Sequence, residues 1–466
     1  MKLDVLSTPP PAPETSAAPS AAPAPASGAP SKRVFIHTFG CQMNESDSAR
    51  MAEILKGEGY GRTEVADDAD LILLNTCAIR EKAEQKLFSA LGRYRQVKLS
   101  RGARIGVAGC VAQQEKDKLT ARVPYVDFVL GPDAIGKLPE ILARVAQRER
   151  VVETAWMDSE SYVFPHADPE SARGKVTEFV TVMKGCNNVC AFCVVPRTRG
   201  REVSRPLVEV MREVASLASV GVKEVTLLGQ NVNSYAGGVD FAELLLRTAQ
   251  VPGIERVRFT TSHPHDLSDA LIEAFAREPK IAPHFHLPVQ SGSDPVLQRM
   301  RRDYTVERYL ERLAKLRAAR PGIAITTDII VGYPGETEDD FERTMKLVEQ
   351  VGYDGIFSFI YSPRPHTSAI RHEEAWGVVP YPVKVERLER LQRRQQELGD
   401  AAAQPYLGQI VSVLVEGPSK TRADLRMGRT PENRVVNFAG QAAAGSFAQV
   451  KVQGAKHNGY AGIQVG

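Results

Sequence analysis

The 466-residue sequence lacks any stretch approaching the ~18 uninterrupted apolar residues that a membrane-spanning helix requires. It also lacks the marks of a leader: the opening "LDVL" is shorter than the roughly seven apolar residues of a signal-peptide core, and no Arg precedes Arg33, as a transit peptide would need. Cysteine is scarce. Six cysteines in a chain of this length, without an export signal, exclude a disulfide framework and point to metal-binding or catalytic thiols in a reducing compartment. A surplus of one charge is lacking as well: 59 Lys and Arg stand against 56 Asp and Glu, so the net charge of +3 gives no argument for a nucleic-acid partner. These absences lead to the expectation of a soluble, cytoplasmic protein without membrane contact.

What is present falls into segments. Residues 1–32 are almost all Pro, Ala, Ser and Gly and are expected to form a disordered tail, because they cannot bury enough apolar surface to offset the entropy of ordering. Over 33–150, "RVFIHTFGC", "ADLILLNTC" and "ARIGVAGC" each read as a buried strand running into a cysteine, with helices starting near Ser46 and Arg80. This alternation predicts an α/β domain with a doubly wound parallel sheet. Ligands of such sheets bind beyond the carboxyl ends of the strands, where Cys41, Cys77 and Cys110 all stand. The other reading of these three is as small buried hydrophobes.

Residues 151–171, polar and broken by proline, read as a linker. A second alternation over 172–404 has six strands, near "EFVTVMKG", "EVTLLG", "RVRFTTS", "PHFHLPVQ", "AITTDIIVGYPG" and "GIFSFIYSP", and predicts a partial (β/α)6 barrel. The chemistry of barrels is built on the loops at the C-terminal ends of their strands. Residues 405–466 read as short strands of a small β-barrel, with seven Lys and Arg against three acids, a surplus of four that exceeds the excess of the whole chain.

The first strand of the predicted (β/α)6 barrel leads into "KGCNNVCAFCVVPRTRGRE". The spacing C-x3-C-x2-C lets one loop wrap Cys186, Cys190 and Cys193 around a single metal centre. Structural zinc takes four ligands, and no nearby Cys or His completes the set. A cubane of four irons and four sulfides on only three cysteines keeps one iron open for a small molecule. At this point the loop resembles that of the radical S-adenosylmethionine enzymes, which implies a [4Fe-4S] cluster coordinated by S-adenosylmethionine and an adenine contact from Phe192. A redox or zinc loop is the alternative.

The resemblance extends over "HTFGCQMNESDS", "LNTCAIREKAEQK", "AGCVAQQ", "LLGQNVNSY", "HLPVQSGS" and "GRTPENRVVNF". Together these resemble the methylthiotransferases of the MiaB type. That likeness implies an N-terminal methylthiotransferase domain, a radical barrel and a TRAM domain, with a second [4Fe-4S] cluster on Cys41, Cys77 and Cys110. It further implies methylthiolation at C2 of N6-dimethylallyladenosine at position 37 of tRNA, bound through the anticodon stem-loop. The enzyme it implies is a monomer, supplied with electrons by a flavodoxin or ferredoxin and with sulfur from a source the sequence does not name. Related branches act on threonylcarbamoyladenosine in tRNA or on a ribosomal-protein aspartate. A non-catalytic iron-sulfur carrier or RNA-binding module is the reading from another class, and clusters with three ligands each speak against it. Two departures stand out: Ala191 replaces the usual hydroxyl residue, and the chain beyond Phe438 matches only loosely.

Other candidates have competing readings. Gln230 and Gln290 fall at strand ends, where amides bind cofactor ribose or carboxylate groups or cap helices. Arg301 suits a cofactor carboxylate or plain solvent. His263 and His265, separated by Pro264, read as loop histidines rather than a metal pair, and "GYPGE" at 332–336 as a cofactor-edge loop or an ordinary turn. Arg197, Arg199, Arg201 and Arg205 suit RNA phosphates or a solvated loop. In the tail, Arg422, Arg429, Asn433 and Arg434 suit backbone contacts to folded RNA, or a protein partner.

Overall fold

The computed structural model describes residues 32–78, 81–157, 162, 164, 166 and 168–466. Of the tail expected over 1–32, residues 1–31 lie outside the described residues, as does the helix start expected near Arg80, while Lys32 belongs to the first strand. Six strands form the first sheet: β1 (Lys32–Phe39), β2 (Tyr60–Arg62), β3 (Leu71–Thr76), β4 (Arg104–Gly109), β5 (Phe128–Leu130) and β6 (Val151–Glu153), in the order β2-β1-β3-β4-β5-β6. Every pairing is parallel. Helices α1 (Gln42–Gly57), α2 (Glu81–Arg101) and α3 (Cys110–Glu115) follow β1, β3 and β4.

The centre of this sheet is buried on both faces, as a doubly wound sheet requires. Along β3, Ile72 and Leu74 pack on Leu87 and Leu91 of α2, while Leu71 and Leu73 pack on Met51 and Leu55 of α1. The chain reverses direction across the sheet between β1 and β3, and ligands bind in the crevice at such a switch point. The expected linker over 151–171 needs correction at both ends. Val151–Glu153 adds a sixth strand on β5, and Pro169–Ala172 forms a helical turn capped by Asp168. A three-residue strand is too short to show periodicity, which hid it in the sequence.

The central strands are β7 (Thr177–Thr181), the short β8 (Met183–Lys184) and β9 (Val203–Ser204), then β10 (Glu224–Leu228), β11 (Arg256–Phe259), β12 (His284–His286), β13 (Ala324–Val331) and β14 (Gly355–Ile360). Two parallel sheets, β7-β10-β11 and β12-β13-β14, are joined by a parallel bridge between Val257 and Ile281, giving six strands in chain order with β7 and β14 at the edges. This is the expected partial barrel. β8 and β9 pair antiparallel and clamp the base of the cysteine loop between them.

The C-terminal strands, β15 (Ile410–Pro418), β16 (Arg426–Arg429), β17 (Val435–Ala439), β18 (Phe447–Lys456) and β19 (Gly459–Gln464), close into a barrel around Val413, Val436, Phe438 and Val450. Arg256 and Arg258 of β11 donate to the carbonyls of Arg429, Thr430 and Pro431. These contacts seat the small barrel at the N-terminal ends of the central strands. No helix among the described residues is long and apolar enough to cross a membrane.

Candidate active site

Two thiol triads stand at the carboxyl ends of the two parallel sheets. In the first, Cys41 caps α1, Cys77 directly follows β3 and Cys110 opens α3. Asn75 fixes the loops that carry them: its side chain donates to the Asn44 carbonyl at 2.8 Å and to Ser48 Oγ at 3.0 Å, and accepts from Asn44 Nδ2 at 3.0 Å. Asn44 Oδ1 in turn accepts from the backbone N–H and the thiol of Cys41, each at 3.4 Å. Gly109 before Cys110 sits at φ +89°, where a Cβ would stand 2.3 Å from Asn75 Oδ1. Sequence reasoning missed these asparagines, although "CQMN" and "LNTC" carry them beside the cysteines.

The triad is electrostatically one unit. Cys41 shares a hydrogen bond with Cys77, which brings its pKa down to about 6 against the opposing effect of burial. Burial raises Cys110, and the Arg199 guanidinium works the other way. Arg199 Nε donates to Cys110 Sγ at 3.2 Å, and its far nitrogen donates to Asp47 at 2.5 Å.

The second triad lies on the loop after β8. Gly185 at φ +75° opens it, with room for no side chain because a Cβ would stand 2.0 Å from the Arg201 carbonyl. The middle of the loop is pinned by Ala191, whose N–H donates to the Met300 carbonyl at 2.9 Å and whose carbonyl accepts from Ala369 at 2.8 Å. Ala191 is buried, so a hydroxyl there would need a buried partner. Burial pushes the Cys186 thiol up to about 11 and the Cys193 thiol up to about 12. Among the described residues no group of three or more His, Cys, Asp or Glu side chains forms a metal-ion site.

The rim around this loop carries buried polar atoms without a hydrogen-bond partner among the described residues: Gln230 Nε2, Asn231 Oδ1, Ser262 Oγ and Tyr361 Oη. They follow β10, β11 and β14, at the same end of the central strands as the cysteine loop. Such atoms in a native site call for a polar ligand. Gln230 also accepts from the Gly185 N–H, tying itself to the cysteine loop. Gln290 is buried at φ +72° and bridges to Ile329 of β13. Phe192 meets Tyr333 of "GYPGE" edge to face at 6.4 Å, and Glu336 in that loop accepts from the Gly332 N–H at 2.7 Å and from Arg387 at 2.8 Å.

The phosphate reading changes for two arginines, and Arg301 gains a buried neighbour. Arg301 is exposed, whereas its neighbour Arg302 is buried and donates to Cys190 Sγ at 3.3 Å and to the Pro288 carbonyl at 3.0 Å. Adjacent arginines leave a turn in different directions, and the sequence carries no sign of which turns inward. The phosphate reading of Arg199 and Arg205 fails, since both are buried and paired, Arg199 with Asp47 and Arg205 with Glu213, while Arg197 and Arg201 are exposed. His263 Nδ1 accepts from the His265 N–H, and burial with nearby Arg302 brings His263 down to about 3, a neutral loop histidine.

In the small barrel, Arg422 is exposed and paired with Asp424. Arg429 reaches Glu416 at 3.0 Å and Asn433 Oδ1 at 3.3 Å. Arg434 is turned inward: its guanidinium is paired with Asp354 and lies over the rings of Tyr406 and Tyr460. It fastens the small barrel to the base of β14 and is not free for a phosphate.

Three family models match the chain: the uncharacterized protein family UPF0004 over residues 33–131, the radical SAM superfamily over 180–348 and the TRAM domain over 404–461. Among solved structures, the radical S-adenosylmethionine methyltransferase TsrM from Kitasatospora setae, with cobalamin and a [4Fe-4S] cluster bound, aligns over 73% of this chain and 74% of its own with a TM-score of 0.54. At 14% identity this likeness shows the fold alone. Relatives named tRNA-2-methylthio-N(6)-dimethylallyladenosine synthase are far more similar. The one from Myxococcus xanthus (strain DK1622) is 68% identical, covering 93% of this chain and 94% of its own length. That from Methylibium petroleiphilum is 51% identical, covering 88% of this chain and 91% of its own. With identity that high across nearly the whole of both chains, this chain belongs to the tRNA-2-methylthio-N(6)-dimethylallyladenosine synthase family.

Proposed function

We propose that the chain transfers a methylthio group to C2 of N6-dimethylallyladenosine at position 37 of tRNA. The observation that carries this reading is the pair of thiol triads, one at the switch point of the first sheet and one on the first loop of the central barrel. The C2–H bond is neither acidic nor attached to a leaving group, so a general base alone offers no route to it. When bound, S-adenosylmethionine and two [4Fe-4S] clusters supply the radical chemistry and the sulfur that such a bond requires.

The donor types suit these groups, three thiols in each set, although the thiols are not drawn together as a metal-ion site. Cys186, Cys190 and Cys193 would hold one cluster and Cys41, Cys77 and Cys110 the other. In each triad a buried arginine donates to a sulfur, as suits a thiolate ligand. The unmet Gln230 amide, with Gln290, Phe192 and Arg301 around the same mouth, would orient S-adenosylmethionine. Because burial holds Cys186 and Cys193 protonated, loading the barrel loop releases protons. Arg422, Arg429 and Asn433 would contact the tRNA at the far end of the barrel, so that its anticodon stem-loop reaches along the molecule and the target base leaves its stack at the mouth. The remaining parts of this reading are a flavodoxin or ferredoxin as electron donor, a monomeric state and a cytoplasmic location.

Mass spectrometry of tRNA nucleosides from a strain lacking this gene tests the proposal. The 2-methylthio form should disappear while N6-dimethylallyladenosine accumulates, and the wild-type gene should restore it. Loss of a methylthio group from threonylcarbamoyladenosine, or from a ribosomal protein, would overturn the substrate assignment.

A further inference from the structure

The segment that leaves the barrel triad does not return directly to the barrel. Val194, next to Cys193, is buried in the hydrophobic core of the N-terminal sheet, and the helical turn Val195–Thr198 lies against α3. It delivers Arg199 into the first triad, where the side chain is buried, with Nε 3.2 Å from Cys110 Sγ and a terminal nitrogen 2.5 Å from Asp47. The cationic contact to a thiol of the N-terminal domain is thus supplied by the barrel's own cysteine loop. The second triad has a counterpart of different charge balance. Arg302 lies 3.3 Å from Cys190 Sγ, but its other partners are neutral, the Pro288 carbonyl and the Tyr304 hydroxyl.

We infer that Arg199 is a positioning residue for the N-terminal triad, and that together with Asp47 it sets the reduction potential of the cluster held there, independently of the barrel cluster. This rests on the reading that both triads hold iron-sulfur clusters. An N–H donated to a ligand sulfur withdraws electron density and favours the reduced state, and a guanidinium keeps its charge at every working pH. The Asp47 carboxylate cancels part of that charge. Arg302, without such a partner, acts on Cys190 uncancelled, so the two clusters are tuned separately although one loop serves both.

The test is a redox titration of the full-length, anaerobically reconstituted chain, followed by electron paramagnetic resonance. S-adenosylmethionine perturbs only the signal of the cluster it coordinates, which separates the two. Arg199→Gln should move the N-terminal potential to more negative values and Asp47→Asn to more positive ones, and both should leave the barrel potential in place. Arg199→Lys, which keeps the charge but not the planar fork, should restore part of the shift. Arg302→Gln should move the barrel potential alone. An unchanged N-terminal potential in Arg199→Gln, or equal shifts at both clusters, would overturn the inference. So would loss of the N-terminal iron that Arg199→Lys does not recover. A wild-type protein with a single cluster would instead sink the functional reading beneath it.

Discussion

At the scale of single residues, local surroundings decide what each ionisable group can do. Cys41 and Cys193 both follow strands, yet a shared hydrogen bond takes the first down to about 6 while burial takes the second up to about 12. His284 shows the same physics at the base of the barrel. Burial, with Arg258 beside it, brings its pKa down to about 3 from an ordinary 6.5. The unfolded chain takes up this proton as pH falls through the ordinary value and the folded chain does not, so the stability His284 contributes is full above pH ~6.5 and drains away below it. Urea unfolding of wild type and His284→Gln should therefore show wild type losing ground to the variant between pH 7.5 and 5. A constant gap would mean that folded His284 takes up the proton as readily as the unfolded chain does.

At the scale of elements, the sites rest on turns as much as on strands. Gly109 turns the chain from β4 into Cys110 at φ +89°, with the Thr76 carbonyl 2.8 Å and Asn75 Oδ1 2.3 Å from where a Cβ would stand. Gly109→Ala should cost roughly 2 kcal/mol or more in unfolding free energy, from the left-handed backbone and the clash together. It should also strip iron from the N-terminal triad while the barrel triad keeps its own; unaltered iron would show that the turn has slack.

These elements also mark how far the sequence could be read. Strands running into cysteines are local patterns that are visible in the chain. The β6 strand was hidden by its length, and the inward turns of Arg199, Arg302 and Arg434 by their dependence on partners far away in sequence: Asp47, Cys190 and Asp354. Charge type can be read from a sequence, but which charges end up buried against each other depends on how the domains dock.

At the scale of the whole molecule, the small barrel and the thiols occupy opposite ends of the central strands. The eight residues of β13 put roughly 25 Å between those ends. An RNA held by the small barrel must therefore reach along the molecule to bring a base to the cysteines. Arg422→Ala and Arg429→Ala should each flatten the slope of log affinity for tRNA against log salt by about 0.7–0.9. Arg434→Ala should leave that slope alone and lower the thermal stability, because its partner is Asp354 and not RNA. An equal flattening in all three variants would put Arg434 back on the RNA.

The central claim is that each triad holds a cluster of its own, and iron analysis with Mössbauer spectroscopy on the reconstituted full-length chain tests it most directly. The wild type should carry about eight irons, and replacing either Cys41, Cys77 and Cys110 or Cys186, Cys190 and Cys193 by Ala should remove about half while the remaining signal keeps its [4Fe-4S] form. Loss of all iron from either triple variant, or stoichiometric zinc in the wild type, would contradict it.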